Sequence, residues 1–459
     1  MFCKNIKDKG ELKNFKMNIQ LSEHFTYKKL IKFTIPTIFM MIFTSIYGIV
    51  DGIFVSNFVG AEPFAAVNLI YPAIMVLGAF GFMIGTGGSA LVSKTIGEGD
   101  KEKANRYFSM LIYLLVVIGT ILATIGIIFM EPISKLLGAD EKLLNDCVVY
   151  GRMLLVFLVP FVLQNSFQGF LIVAEKPTFG LIVSILAGVT NMVLDFVFMY
   201  LLRMGVFGAA LATGISQTVG AVIPLIYFSK KNNTVLRFVK TKFELKPIIK
   251  TCTNGSSEML TNLSMSLVNI LFNAKLISSF GSDGVVAYGI IMYVGFIFIG
   301  TYLGYSFGVA PIISYHYGAG NKDELKNLLK KSIRLLIFTS IVMTFLAEIS
   351  AGALAGIFVS YDKELLEFTT LAIRLFSTSY LISSFNIFAS SFFTALNNGL
   401  VSAVISFLRT LVFQIIMIFL MPAIFGINGI WLAVTVAELL SLIICIIFII
   451  TNKKKYGYA

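Results

Sequence analysis

Charge is the scarcest commodity in this chain. Only 13% of its 459 residues are Asp, Glu, Lys or Arg, against the quarter or so that a soluble domain carries. That deficit excludes an ordinary soluble globular protein of this length. The four cysteines (Cys3, Cys147, Cys252, Cys445) sit at no paired or metal-like spacing, which argues against a disulfide framework and a zinc site. The two histidines, His24 and His316, fall in or beside charged loops and read as solvated side chains rather than metal ligands. Regular polar–apolar alternation is missing as well, which argues against a β-barrel. No apolar core interrupts the Lys-rich first thirty residues; they predict a partly disordered cytosolic arm, not a cleavable signal.

Apolar residues fill the space that charge leaves. They make up 57% of the chain, and mean hydropathy is +0.88. Twelve runs are each long enough to cross a bilayer at about 20 residues per span: 31–55, 64–92, 107–130, 147–174, 178–201, 205–228, 251–280, 285–313, 333–357, 368–396, 400–421 and 427–451. The net charge of +12 does not point to nucleic acid, because the basic residues cluster in alternate loops. Lys94, Lys101, Lys103 and Arg106 follow span two. Lys230 to Lys246 follow span six, Lys322 to Arg334 follow span eight, and Lys453–Lys455 end the chain. By the positive-inside rule these segments and both termini are cytosolic.

A shift of 221 residues superposes Gly60 on Gly281, Gly87 on Gly308, Ser93 on Ser314, Gly99 on Gly320, Lys101 on Lys322 and Gly205 on Gly426. Twelve spans thus divide into two sixes. Six is even, so the halves share one orientation, as in transporters whose two lobes rock about a central cavity. The expected organisation is a cytosolic arm (1–30), an N-lobe (31–228), a cytosolic linker (229–250) and a C-lobe (251–459). The fold class is all-α integral membrane, two parallel six-helix repeats.

Acids inside spans carry the functional signal. Asp51 lies in span one and Asp195 in span five. Asn191 precedes Asp195 by four residues and shares its helical face; Thr213 stands in span six. An ionised Asp at mid-membrane costs about 2.5–3.5 kcal/mol on insertion scales, which the apolar neighbours can offset. Such an acid reads as a cation site for a proton or Na⁺. The repeat partners of the two acids are Phe272 and Ile416, so the N-lobe alone carries the pair. Glu258, early in span seven, is a second candidate for a proton or a cationic substrate. Glu348, Glu438, Arg374 and Arg409 read as interhelical ion pairs, Arg409 with Glu438 among them. The stretch GTGGSALVSKTIGEGD lacks phosphate-loop spacing, and its small residues read as helix-packing positions.

The runs VDGIFVSNFVG–AAVNLIYP, GEGDKEKAN with its repeat mate GAGNKDELKN, and AEKPTFG–NMVLD–GAALATGISQ resemble the multidrug and toxic compound extrusion (MATE) transporters. The likeness extends through essentially all twelve spans. It implies a V-shaped pair of six-helix lobes exporting amphiphilic, mostly cationic organic compounds against an inward Na⁺ or H⁺ gradient. It also implies a hydrogen-bonded acid network in which Asp51, Asp195, Asn191 and Thr213 bind the cation, joined by Tyr150, Asn165 and Gln168, with helix one bending at Pro36. One branch of that family places acids midway along helix seven and on helix ten; Met265, Ser266 and Ser383–Asn386 stand there instead.

The expectation is therefore a cation-coupled antiporter of the cytoplasmic membrane, with Na⁺ at Asp51 and Asp195 or a proton as coupling ion. No other cofactor is expected. The partners are small-molecule substrates and membrane lipid, not nucleic acid, and the chain is a monomer. Two alternatives stand behind it. A lipid-linked glycan flippase would need several free basic groups for pyrophosphate, and the spans offer few (Arg152, Lys275, Arg374, Arg409). An intramembrane aspartyl protease would use two membrane aspartates, but neither lies in a Gly-x-Gly-Asp setting.

Overall fold

The computed structural model describes residues 19–458; Cys3 and most of the expected arm lie outside that range. The described residues form helices and no strands. Ten helices are long and apolar enough to cross a membrane, and two bent pairs complete the twelve expected spans. In chain order these are α1 (Tyr27–Phe54), α2 (Ala61–Gly97), α3 (Lys101–Leu136) and α4, whose segments Glu141–Val156 and Leu158–Val173 meet at 55°. After them come α5 (Pro177–Asp195), α6 (Gly205–Ser229), α7 (Leu245–Phe280), α8 (Ser282–Gly318) and α9 (Lys322–Val359). Next is α10, whose segments Lys363–Ser377 and Tyr380–Ala395 meet at 44°. Last are α11 (Gly399–Phe407, resuming at Phe413–Phe425) and α12 (Ala433–Tyr456). Both bends fall at repeat-equivalent helices, so the kink belongs to the duplicated unit.

Several helices run past the spans that hydropathy marks. At 1.5 Å per residue the 37 residues of α2 reach about 55 Å, well beyond a hydrocarbon core of about 30 Å. The basic segments after spans two and eight are consequently not loops but first turns. Asp100 caps α3 by accepting from the Lys103 N–H at 2.9 Å, and Asn321, its repeat mate, caps α9 by accepting from the Glu324 N–H at 3.0 Å. Asp140 and Asp362 cap α4 and α10 in the same way. Short polar acceptors at these positions satisfy N–H groups that a helix start leaves free.

The repeat is equally visible in the backbone. Gly60 and Gly281, Gly99 and Gly320, and Gly205 and Gly426 all adopt positive φ, a conformation that glycine enters without a Cβ clash. Where the lobes meet, the contacts obey a pseudo-twofold. A Cβ on Gly97 would strike the Tyr315 carbonyl, and one on Gly318 would strike the Lys94 carbonyl; Lys94 and Tyr315 are themselves 221 apart. Likewise Gly87 packs against the backbone at Thr251 and Gly255, and Gly304 against Thr37 and Ile38. The Thr37 hydroxyl donates to the Gly304 carbonyl at 2.8 Å and the Ser93 hydroxyl to the Pro311 carbonyl at 2.6 Å. Small residues in the Gly-rich stretch of α2 therefore do pack helices.

All these contacts fall at the end of the bundle that carries the chain termini and the basic connections. A short segment straps that end shut. The Leu21 N–H donates to Glu175 at 2.8 Å in the α4–α5 connection, while the Phe25 N–H donates to Glu324 of α9 at 2.9 Å. His24 shares a 2.6 Å contact with the same Glu324 carboxylate, and Lys331 donates to the Phe25 carbonyl at 2.6 Å. Leu21 and Phe25 are fully buried, so this part of the arm is an ordered tie between the two lobes. Burial pushes the Glu175 carboxyl above the usual carboxylate range, with the Leu21 N–H pulling the other way. His316 is not solvated as expected. It is 2% exposed at the end of α8, because the strap lies over it.

Replacing Glu324 by Ala removes the acceptor for Phe25 N–H and His24, leaving a buried donor unsatisfied. A loss of about 1–3 kcal/mol is expected. Limited proteolysis should then cut near residues 20–26 in the variant and spare the native protein.

Candidate functional site

Two acids that the sequence places 144 positions apart meet in the N-lobe. Asp51 lies in the last turn of α1 and Asp195 ends α5. Beyond each acid the helix widens into π-helical turns, Val55–Val59 and Phe196–Leu201. Such turns insert one residue per repeat and rotate the residues beyond them. Phe58 and Tyr200, one from each, stack edge-on at 5.2 Å and tie the two turns together. Close approach of the helices is set one to two turns deeper. A Cβ on Gly188 would strike the Phe43 and Tyr47 rings, and Gly188 precedes Asp195 by seven residues on one helical face.

Asp195 is fully buried and Asn191 1% exposed. The Asn191 amide is poised between the Asp195 carboxylate (3.4 Å) and the Thr213 hydroxyl (3.5 Å). Asp51 and Asp195 stand within hydrogen-bonding reach of one another. One oxygen of each carboxyl is buried with no hydrogen-bond partner. The ion pairs among the described residues include neither acid. Tyr47, Tyr71 and Tyr150 border the pair. Two carboxyls side by side in an apolar region without a basic partner need an external positive charge: in low dielectric the repulsion between two anions is many times its value in water. A proton held between them supplies it. So does a hard monovalent cation, since carboxylate and hydroxyl oxygens are the donors such ions take.

The other candidates are dispersed. Tyr150 joins the acids, but Asn165 and Gln168 lie beyond the bend in α4. The Asn165 amide donates to its own helix at Phe161 (3.0 Å). Its neighbour Gln164 abuts Gly220, seven residues, or about 10 Å, along α6 from Thr213. Pro36 is buried in the first third of α1, and the helix continues through it to Phe54. Sequence reasoning missed Tyr47 and Tyr71. Tyr47 precedes Asp51 by four residues, a spacing that puts both on one face; nothing local marks Tyr71.

The C-lobe handles its charges differently. Arg409, in a π-helical interruption of α11 (Leu408–Val412), binds Glu438 of α12 through Nε (2.9 and 3.0 Å) and a terminal nitrogen at 2.8 Å. The Asn386 amide of α10 donates to the same carboxylate at 2.6 Å. Glu258 lies within electrostatic reach of Arg409. Glu348 finds no basic partner among the described residues and accepts from the Ser377 hydroxyl at 2.9 Å. Glu438 is 2% exposed, so Arg409→Leu should cost about 3–5 kcal/mol by stranding its charge. The double change Arg409→Leu, Glu438→Leu should recover most of that, as read by thermal unfolding of the purified protein.

A family model described as MatE matches residues 36–197 and 258–420, once in each lobe. The multidrug export proteins MepA of Staphylococcus haemolyticus and Staphylococcus saprophyticus are 27% and 26% identical to this chain. Each alignment covers 78% of this chain, and 78% and 79% of those proteins. Among solved structures, a MATE protein in complex with MaL6 superposes with a TM-score of 0.90 at 22% identity, over 95% of this chain and 98% of the other. A multidrug resistance MATE family transporter of the MOP superfamily, solved in an outward-facing conformation, gives 0.89 at 23% identity with the same coverage.

Proposed function

The chain belongs to the MatE family of membrane transporters, and we propose that it exports amphiphilic organic cations in exchange for Na⁺ or H⁺ taken up at Asp51 and Asp195. It is a transporter and not an enzyme. The observation that supports the coupling role is the acid pair, Asp195 buried and Asp51 half-buried, that has no basic partner among the described residues. A structural pair of this kind would be satisfied internally, as Arg409 satisfies Glu438. This one is balanced only by a charge that comes from outside. Asn191, whose amide is directed at both the Asp195 carboxylate and the Thr213 hydroxyl, holds the carboxylate in place, and Tyr150 of α4 borders the pair.

Antiport results if cation and substrate favour different lobe arrangements, since a ligand shifts a conformational equilibrium only by its differential affinity for the two states. Here the lobes are fastened at the end bearing the basic connections. By the positive-inside rule that end is cytosolic, so the arrangement is the one that discharges substrate outward and loads the coupling ion. The names of the MepA relatives support drugs as the substrate class. A lipid-linked glycan flippase fits less well, because Arg409 is committed to Glu438 and Arg152 to the Ile127 carbonyl, leaving few basic groups to hold pyrophosphate.

In proteoliposomes, an imposed pH gradient and an imposed Na⁺ gradient, applied separately, should show that one of them drives uptake of a fluorescent cationic dye into inverted vesicles. A tenfold gradient supplies about 1.4 kcal/mol per ion, enough for about tenfold accumulation at one-to-one exchange. Asp195→Asn should reduce driven transport to background while the detergent-purified protein keeps its elution profile. Full transport by that variant would overturn the assignment.

A further inference from the structure

Outside the acid pair, a cluster of charge at the other end of the bundle is left uncompensated among the described residues. At the fastened end of the bundle, between the lobes, lies a cavity of about 240 Å³ whose walls carry Lys94, Lys103, Lys246 and Lys250 against two acids, Glu98 and Glu244. Lys94 is spoken for: its ammonium meets Glu98 at 3.1 Å and lies over the Tyr317 ring at 5.3 Å. The other three lysines make no ion pair among the described residues. Lys250 nonetheless stands beside Lys94 and within electrostatic reach of Lys103, and both Lys94 and Lys250 are half-buried.

The positive-inside rule explains why these segments are basic, but it does not require four lysines from separate segments to converge on one hollow. Like charges brought together repel even in water, yet the helices start these side chains close to one another, with Lys246 exposed and Lys103 half-buried like Lys94 and Lys250. Lys94 and Lys250 are carried by α2 and α7, which Gly87 and Gly255 bring into backbone contact one to two turns away. Lys103 is fixed by the capped start of α3, and Lys246 by the first turn of α7.

We propose that this cavity binds a phosphate-bearing anion, either the headgroup phosphate of an anionic lipid or free phosphate, and that the bound anion clamps the lobes at their closed end. A phosphate presents several acceptor oxygens and up to two negative charges, which matches an excess of two lysines over the glutamates. Lysine serves it as a point-charge donor. The volume corresponds to about eight waters at roughly 30 Å³ each, ample for one such group. The cavity also lies at the membrane end where basic residues meet headgroups, and anionic lipids there attract juxtamembrane lysines. Two of the lysines belong to the N-lobe and two, at the end of the linker segment, to the first turns of α7, the helix that continues into the C-lobe, so separation of the lobes at this end pulls the site apart. The anion therefore binds the closed arrangement in preference to the open one, and its removal leaves an excess of two positive charges that favours opening.

The test uses full-length protein carrying Cys3→Ser, in an uncharged detergent at fixed ionic strength. Cys252 is the reporter. It is half-buried, two residues past Lys250, and packs against the N-lobe core, whereas Cys147 and Cys445 are buried. Inorganic phosphate should raise the unfolding midpoint saturably, by about 1–2 °C at tenfold excess over its dissociation constant. It should also slow maleimide labelling of Cys252 severalfold, and chloride should do neither. Lys246→Gln with Lys250→Gln should lose both responses, while Lys453→Gln with Lys454→Gln keeps them. If phosphate is silent, nanodiscs provide the other arm. Labelling slowed in phosphatidylglycerol relative to phosphatidylcholine, only with Lys246 and Lys250 intact, assigns the site to a lipid headgroup. Lys103→Gln alone should weaken either response and guards against a double variant that folds poorly. Silence in both arms, or responses that survive loss of the lysines, overturns the proposal.

Discussion

Two carboxyl groups held together without a base between them set the terms for everything else in the N-lobe. Water solvates such a pair easily; an apolar interior does not, and the repulsion grows as the dielectric falls. A fold can tolerate the arrangement only if something mobile neutralises it, or if a neighbouring cation does so permanently. Around Asp51 and Asp195 the helix packing brings the acids together, and no described residue supplies the permanent cation. Gly188 lets α5 approach α1, the paired π turns rotate the helix ends, and the Asn191 amide is aimed at the carboxylate. In the proposed cycle the charge of this site, and with it the stability of its surroundings, would change as the coupling ion binds and leaves.

The C-lobe answers the same problem with the opposite solution. Built on the same six-helix unit, it lacks both acids and carries Arg409 against Glu438, backed by Asn386. A buried Arg–Glu pair is no great source of stability, but breaking it is expensive. Such a pair fixes α10, α11 and α12 in one arrangement. The duplicated architecture therefore holds one lobe with a closed buried ion pair, Arg409 with Glu438, and one with an acid pair left open. In the proposed cycle the first serves as the rigid counterpart against which the second moves.

Much of this was legible in residue order, and the parts that were not share a cause. Hydropathy located the twelve spans, and the 221-residue shift gave a repeat that reappears in the positive-φ glycines and in the reciprocal contacts of Gly97 and Gly318. The four-residue spacing put Asn191 and Asp195 on one face. Rotation about each helix axis was not legible, because membrane helices are apolar all round and lack the polar stripe that reveals the buried side of a soluble one. Thus Tyr71 beside Asp51, the bends in α4 and α10, and the convergence of four lysines could not be read from order alone. The π turns compound the difficulty, since each inserted residue breaks the 3.6 period that face assignments assume. The strap over His316 escaped for a different reason: a polar, Lys-rich segment reads as solvated until its few apolar residues, Leu21 and Phe25, are seen to be buried.

The two ends of the molecule can now be related through charge. At the fastened end the lobes meet through glycine-permitted backbone contact, a strap anchored on acids of both lobes, and a hollow crowded with lysines. Backbone contacts of this kind are all-or-none, since packed interfaces switch between discrete arrangements and do not stretch. Electrostatics is graded, and it is what can tip such a switch. The acid pair sits at the helix ends of α1 and α5, and α1 is also the helix that supplies Thr37 to the lobe contact at Gly304. One continuous helix, Tyr27–Phe54, thus carries the strap junction, the glycine contact and Asp51 in sequence. In the proposed cycle a change of charge at Asp51 would be felt at the closure along this one helix, about 40 Å long, in which Pro36 lies between the acid and the strap.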